Sequence, residues 1–116
     1  MNSTNKDQLT EKKCQPCEGG TDPLSRGRVD ELLPQIPGWQ ASDDGKKIFR
    51  RFEFKGCYKT MAFLTAMAWI ANKEAHHPDF EAGYNFCLVN FSTHAIDGLS
   101  ENDFICAAKV NDLLDE

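Results

Sequence analysis

The chain has 116 residues, enough for one domain of ordinary size and too few for two. Its 41% apolar content and eight Phe supply a real core and exclude global disorder. The net charge of −5 argues against a nucleic-acid surface and leaves a small soluble ligand or another protein as the partner.

The opening stretch, MNSTNKDQLTEKK, lacks the apolar segment of a secretory signal. The apolar uncharged run of residues 60–72 falls short of the roughly 18 residues that a membrane span needs. A cytoplasmic location with no membrane partner is expected. Residues 1–22 are polar, contain CQPCEGGTD, and read as a flexible N-terminal extension jointed at Gly19-Gly20, with the folded domain over 23–116. Cys14 and Cys17 form a single CxxC. Zinc usually takes four ligands, and no second CxxC or CxxH follows, so a loop with two free thiols is expected. A zinc half-site completed by a histidine or another chain is the alternative. Cys57, Cys87 and Cys106 lie within apolar patterns and read as small buried hydrophobes rather than disulfide partners.

A first helix is predicted over about 25–35, with Val29, Leu32, Leu33 and Ile36 on one stripe; Pro37-Gly38 stops it. A strand opens at Trp39, Gln40 and Ala41. SDDGKK then makes a hairpin turn of the Asp-Gly type, and the chain returns over about 47–54. Ile48, Phe52 and Phe54 share one face of that strand, and Phe49, Arg51 and Glu53 the other.

A long helix follows from about 57 or 58 to 75. It carries two apolar stripes, one running from Met61 through Leu64, Ala68 and Trp69, the other through Phe63, Met67, Ile70 and Ala71. Such a helix is expected to be buried between the sheet and another helix or subunit. Residues 80–82 form a short candidate strand, Gly83 a break, and residues 84–93 a strong strand. In its alternation Cys87, Val89, Phe91 and Thr93 take one face; Phe86, Leu88, Asn90, Ser92 and His94 take the other. The last helix is capped by Ser100, with Glu101 and Asp103 in its first turn and Phe104, Ala107, Ala108, Asn111 and Leu114 facing inward. The order implies an α+β fold, a four-stranded antiparallel sheet with three helices packed on one face.

The candidate chemistry lies in NKEAHHPD, where His76 and His77 stand side by side before Pro78. Pro78 disfavours helical geometry in His77, so His76 is read as the last helical residue or the cap. At a helix C-terminus the dipole favours an imidazolium, and an offset between the two rings would let one act as acid and the other as base. If the end of the strong strand lies beside this helix terminus, His94 joins them. Three readings stand open on the residues alone: acid–base catalysis, a histidine metal site, or no shared role. Against the metal, adjacent residues seldom both ligate one ion and no i, i+4 histidine pair is present.

The run HHPDFEAGYNFCLVNFSTH followed by GLSENDFICAAKV resembles the pterin-4a-carbinolamine dehydratase (4a-hydroxytetrahydrobiopterin dehydratase) family. The likeness lies in the spacing of His76, His77, Pro78, Tyr84, His94 and Asp103. It extends over IPGW, the Asp-Gly hairpin and the long helix, so about 32–114 is covered. The CQPCEGG leader is similar to that of some bacterial members. The resemblance implies a four-stranded antiparallel sheet with three helices, and a homodimer or homotetramer. It implies loss of water from a 4a-hydroxytetrahydropterin, with no metal and no organic cofactor, the pterin itself being the substrate. The partner it suggests is an aromatic amino acid hydroxylase, phenylalanine hydroxylase first, whose cofactor the reaction would recycle. By the same resemblance His77 is the principal acid–base group, His76 works alongside it, and His94 holds or protonates the leaving hydroxyl. Pro78, Thr93, Ala95 and Ile96 would line the pterin site. Asp103 would orient His94 or stabilise the last helix. Animal members also serve a transcription factor, so a non-catalytic binding or dimerisation module of the same fold is the alternative function.

One position departs from the pattern. Four residues before the first histidine the family usually carries Glu, and this chain carries Asn72. Asn cannot exchange a proton, though it can hydrogen-bond a ring edge. Glu74 lies about 200° round the helix from that position and is not expected to replace it. The intact histidines imply that a carboxylate at position 72 is dispensable.

Overall fold

The computed structural model describes residues 9–16 and 21–114. Helix α1 (Arg26–Leu32) starts at Ser25, whose hydroxyl accepts the Arg28 N–H. It continues as a 3₁₀ turn over Leu33–Gln35, tightening where Pro34 has no N–H to give the α-helical ladder. The chain then reverses through Gly38, whose φ of +90° favours glycine and whose missing Cβ leaves room for the Arg50 guanidinium.

Four strands follow: β1 (Gln40–Ala41), β2 (Ile48–Glu53), β3 (Asp79–Ala82) and β4 (Phe86–Phe91). All pairs are antiparallel, in the spatial order β1-β2-β4-β3. The β1–β2 turn closes with a Gly45 N–H bond to the Ser42 carbonyl, and Gly45 has a φ of +72°. In the central pair Ile48 faces Phe91 and Phe52 faces Cys87, so the apolar alternations of both strands fall on one side. Arg50 also points inward by register. Its guanidinium lies 4.5 Å from the Phe52 ring centroid and donates to the Pro37 carbonyl and Asn111 Oδ1.

Helix α2 (Cys57–Glu74) and helix α3 (Glu101–Asp112) cover that side. Ser100 and Asp103 form a reciprocal capping box at the start of α3. Within the single chain, α2 is covered on one of its two stripes and α3 on most sides. The second stripe of α2, with Phe63, Met67, Ile70 and Ala71, is buried, whereas Tyr58, Met61 and Trp69 face outward. It is α3 that is enclosed on almost every side, with Phe104, Ile105, Cys106, Ala107, Ala108 and Val110 all buried. The expected inner positions Asn111 and Leu114 are only partly covered. Residues upstream of the domain also pack on α3: Cys14 Sγ lies 3.5 Å from Cys106 Sγ, and the Gln15 N–H donates to Asn102 Oδ1.

Several boundaries move. Trp39 precedes β1 and lies in the core instead, its Nε1 donating to Asn111 Oδ1 at 2.8 Å. The strong strand ends at Phe91, so His94 is not its last residue; it opens a 3₁₀ turn, His94–Ile96. Cys87 and Cys106 are buried as expected, but Cys57 is exposed because it begins α2 on its open side. No helix of the described residues is long and apolar enough to cross a membrane.

Candidate active site

Helix α2 ends in a Schellman motif. Ala75 adopts the left-handed conformation at φ +55°, its N–H bonds the Asn72 carbonyl, and the His76 N–H reaches back to the Ala71 carbonyl. His76 is therefore beyond the helix and is neither its last residue nor its cap. The reversal turns the His76 ring inward, where it stacks on Phe91 at 6.0 Å with the ring planes 9° apart.

There it meets Asp103. His76 Nε2 lies 2.6 Å from Asp103 Oδ1, and Asp103 Oδ2 accepts the Thr93 hydroxyl at 2.8 Å and the Ser100 N–H at 2.9 Å. Asp103 is 0% exposed, so every bond it makes is with the protein. A carboxylate at Nε2 selects the tautomer in which Nε2 carries the proton, leaving Nδ1 with the lone pair. The partner that the structure gives Asp103 is thus His76, not His94. His94 stands 83% exposed, its Nε2 3.9 Å from Asp79 Oδ2 across solvent.

The three histidines nevertheless line one cleft of about 530 Å³, together with Thr93 and Ala95. His76 forms its floor, while His77 and His94 are exposed at its mouth. Of the other expected contacts, Pro78 and Ile96 are not among the lining residues, and Ile96 is buried. Asn72 is exposed and does not line the cleft either.

The carboxylate that does line it is Glu74. The 200° turn from Asn72 that argued against Glu74 as a substitute is what directs it to the cleft side. Glu74 accepts the Cys14 N–H at 2.9 Å and Lys109 Nζ at 2.9 Å. Burial pushes its pKa up, but those two hydrogen bonds and the Lys109 charge outweigh burial and hold the carboxyl below its ordinary range. A signal was present in the sequence: Glu74 continues the stripe of Met67, Ile70 and Ala71, and a charge on a buried stripe calls for a partner.

The rest of the lining comes from Ala75, Ser92, the N-terminal leader and Asn102. Cys14, Gln15 and Pro16 are the leader residues that border the cleft. Cys14 Sγ lies 3.5 Å from Cys106 Sγ. Burial and the Cys14 contact raise the Cys106 thiol far above its ordinary value, with the bond to Cys14 the largest cause. Cys17, the other half of the CxxC, lies outside the described residues. Among the described residues no group of three or more His, Cys, Asp or Glu could hold a metal ion.

The family model described as pterin 4 alpha carbinolamine dehydratase matches residues 22–113, most of the chain. The chain belongs to the pterin 4 alpha carbinolamine dehydratase family. It is 55% identical over 109 residues to a protein of Nitrosomonas europaea named "Putative pterin-4-alpha-carbinolamine dehydratase", covering 93% of this chain and 95% of that one. A protein of the same name from Nitrosomonas eutropha is 54% identical over 96% of this chain and 97% of its own. Among solved structures, a transcriptional coactivator/pterin dehydratase from Brucella melitensis is similar with a TM-score of 0.76 and 33% identity, over 79% of this chain and 98% of that one. A pterin dehydratase-like protein identified as a RuBisCO assembly factor in the alpha-carboxysome matches with a TM-score of 0.58 and 26% identity, over 66% and 88%. The α+β fold of the dehydratase family is the fold found here, and membership supports pterin carbinolamine dehydratase activity in general terms.

Proposed function

We propose that this protein removes water from a 4a-hydroxytetrahydropterin to give the quinonoid dihydropterin, by proton transfer among its three histidines. The observation that carries the reading is the cleft itself, which gathers His76, His77 and His94 and anchors the first of them on a buried carboxylate. One group must protonate the departing 4a-hydroxyl and another must take a proton from the ring nitrogen. Imidazoles titrate close enough to neutrality to do both. His77, exposed at the cleft mouth, is the principal acid–base group. His76, oriented by Asp103, works beside it, and His94 meets the leaving hydroxyl from the facing turn. Thr93 and Ala95 border the pterin; Pro78, next to His77, and Ile96, behind Ala95, shape its edges from behind the lining. Proton donors and acceptors suffice for this step, so the reaction as proposed calls for no metal or organic cofactor. Recycling the cofactor of an aromatic amino acid hydroxylase, phenylalanine hydroxylase first, in the cytoplasm is the role that follows.

The test is stopped-flow ultraviolet decay of enzymatically generated 4a-hydroxytetrahydropterin. Decay should accelerate over buffer, and His77→Ala should lose about 10²-fold or more of that acceleration. No acceleration by the wild type, or full retention in His77→Ala, rejects the reading.

A second reading, a protein-binding or dimerisation module, is favoured by the names of two structural neighbours and by the outward Tyr58, Trp69 and Phe80. A partner retained after all three histidines are replaced, in a protein without dehydratase activity, would support it.

A further inference from the structure

We infer that residues 14–16 form a wall of the substrate cleft, and that Asn102 and Glu74 are positioning residues that hold this wall against the bound pterin. The inference rests on the dehydratase reading and concerns the same site.

The wall is built by directional bonds. Asn102 Oδ1 accepts the Gln15 N–H at 2.9 Å and Asn102 Nδ2 donates to the Gln15 carbonyl at 2.6 Å, so one side-chain amide pairs both backbone groups of one leader residue. Glu74 takes the preceding N–H, that of Cys14. Lys12 adds a surface pair with Glu101 at 2.7 Å, and upstream Leu9 is sunk in the core. Asn102 and Glu74 are both buried, whereas Gln15 and Pro16 are exposed beside the cleft. Exposed backbone groups of a tail could be satisfied by water at no cost. Committing a buried amide and a buried carboxylate to them carries a desolvation cost, which apolar packing would have avoided. What the directional bonds add is orientation: they fix which edge of residues 14–16 meets the cleft.

The wall is also an addition to the shared domain. The family model begins at residue 22, and the Brucella pterin dehydratase structure matches over 98% of its own chain yet only 79% of this one. The Nitrosomonas eutropha relative, matched over 96% of this chain, extends into the leader. Residues 14–16 bring no imidazole or carboxylate to the cleft, so their effect falls on binding rather than on proton transfer.

Asn102→Ala and Gln15→Pro, the second removing the N–H that Asn102 accepts, test this in the full chain by steady-state dehydration kinetics and by hydrogen exchange. The exchange probe is 7,8-dihydrobiopterin, a reduced pterin that lacks the 4a-hydroxyl. Each variant should raise KM about three- to tenfold with kcat within about twofold, the signature of lost binding rather than lost chemistry. In the wild type the amides of residues 9–15 should gain protection when the probe is added. Gln15 is exposed, so Gln15→Pro, which removes that N–H and leaves Asn102 in place, folds even if Asn102→Ala does not, and then decides the matter alone. Wild-type KM in the variants, or a leader that gains no protection, overturns the wall while leaving the dehydratase reading intact. A wild type that neither accelerates dehydration nor binds the probe overturns both.

Discussion

Asp103 and Glu74 are both carboxylates at helix ends, and their surroundings give them different work. Asp103 caps α3 and anchors His76 with the same side chain, so the capping box that starts a helix also orients an imidazole. Glu74 joins the leader to Lys109 and thus to α3. Its folded pKa lies below the ordinary value of 4.5. The unfolded chain therefore binds the proton more tightly, and the stability Glu74 contributes is present above pH 4.5 and lost as pH falls through the folded value. Glu74→Gln should cost about 2 kcal/mol at neutral pH. Its difference from the wild type should shrink steadily below pH 4.5, as read by urea denaturation across pH. A difference that stays constant on acidification would show that the charge of Glu74 is not what stabilises the fold. Among the thiols of the described residues, burial pushes Cys87 up to about 11, and Cys57 is the one classed as exposed.

At the scale of elements, the turn between α2 and β3 places the site. Ala75 holds a left-handed conformation that glycine adopts without a Cβ penalty, and the strain lies one residue before His76. Ala75→Gly should raise stability by about 1 kcal/mol, near 3–6 °C in Tm, by thermal melting. A lower Tm would mean that the conformation carries no strain. Most elements were legible locally. The stripe of α1, the Asp-Gly hairpin and the alternation in β2 and β4 are near-neighbour patterns, and the register follows from burying one face. The ends of β4 were not, because a polar alternation through Ser92 and His94 reads like strand whether or not a neighbour pairs with it. Here β3 and β2 stop pairing at Asn90 and Phe91, and the chain turns into 3₁₀ geometry.

For the whole molecule, the outward side chains of α2 and the sheet edge carry the proposed assembly. Tyr58 is 87% exposed, Tyr84 71% and Trp69 65%, a large aromatic surface for a chain of this size. Light scattering of the purified protein should give the mass of a dimer or tetramer, and Trp69→Glu should lower it. A monomer at micromolar concentration would remove self-association as the account of this surface.

From the order of residues alone one can read an α+β fold, the caps, the hairpin, and three histidines at a spacing that the dehydratase family shares. These depend on contacts within a turn or a strand pair, where periodicity and sterics act directly. That Asp103 meets His76, that Glu74 and not Asn72 faces the cleft, that α3 is the enclosed helix, and that residues 14–16 border the site are matters of packing. Each joins parts of the chain 27 to 87 residues apart. Local pattern leaves such pairs open, since any exposed polar group could be satisfied by water, and only burial obliges each one to find its particular partner.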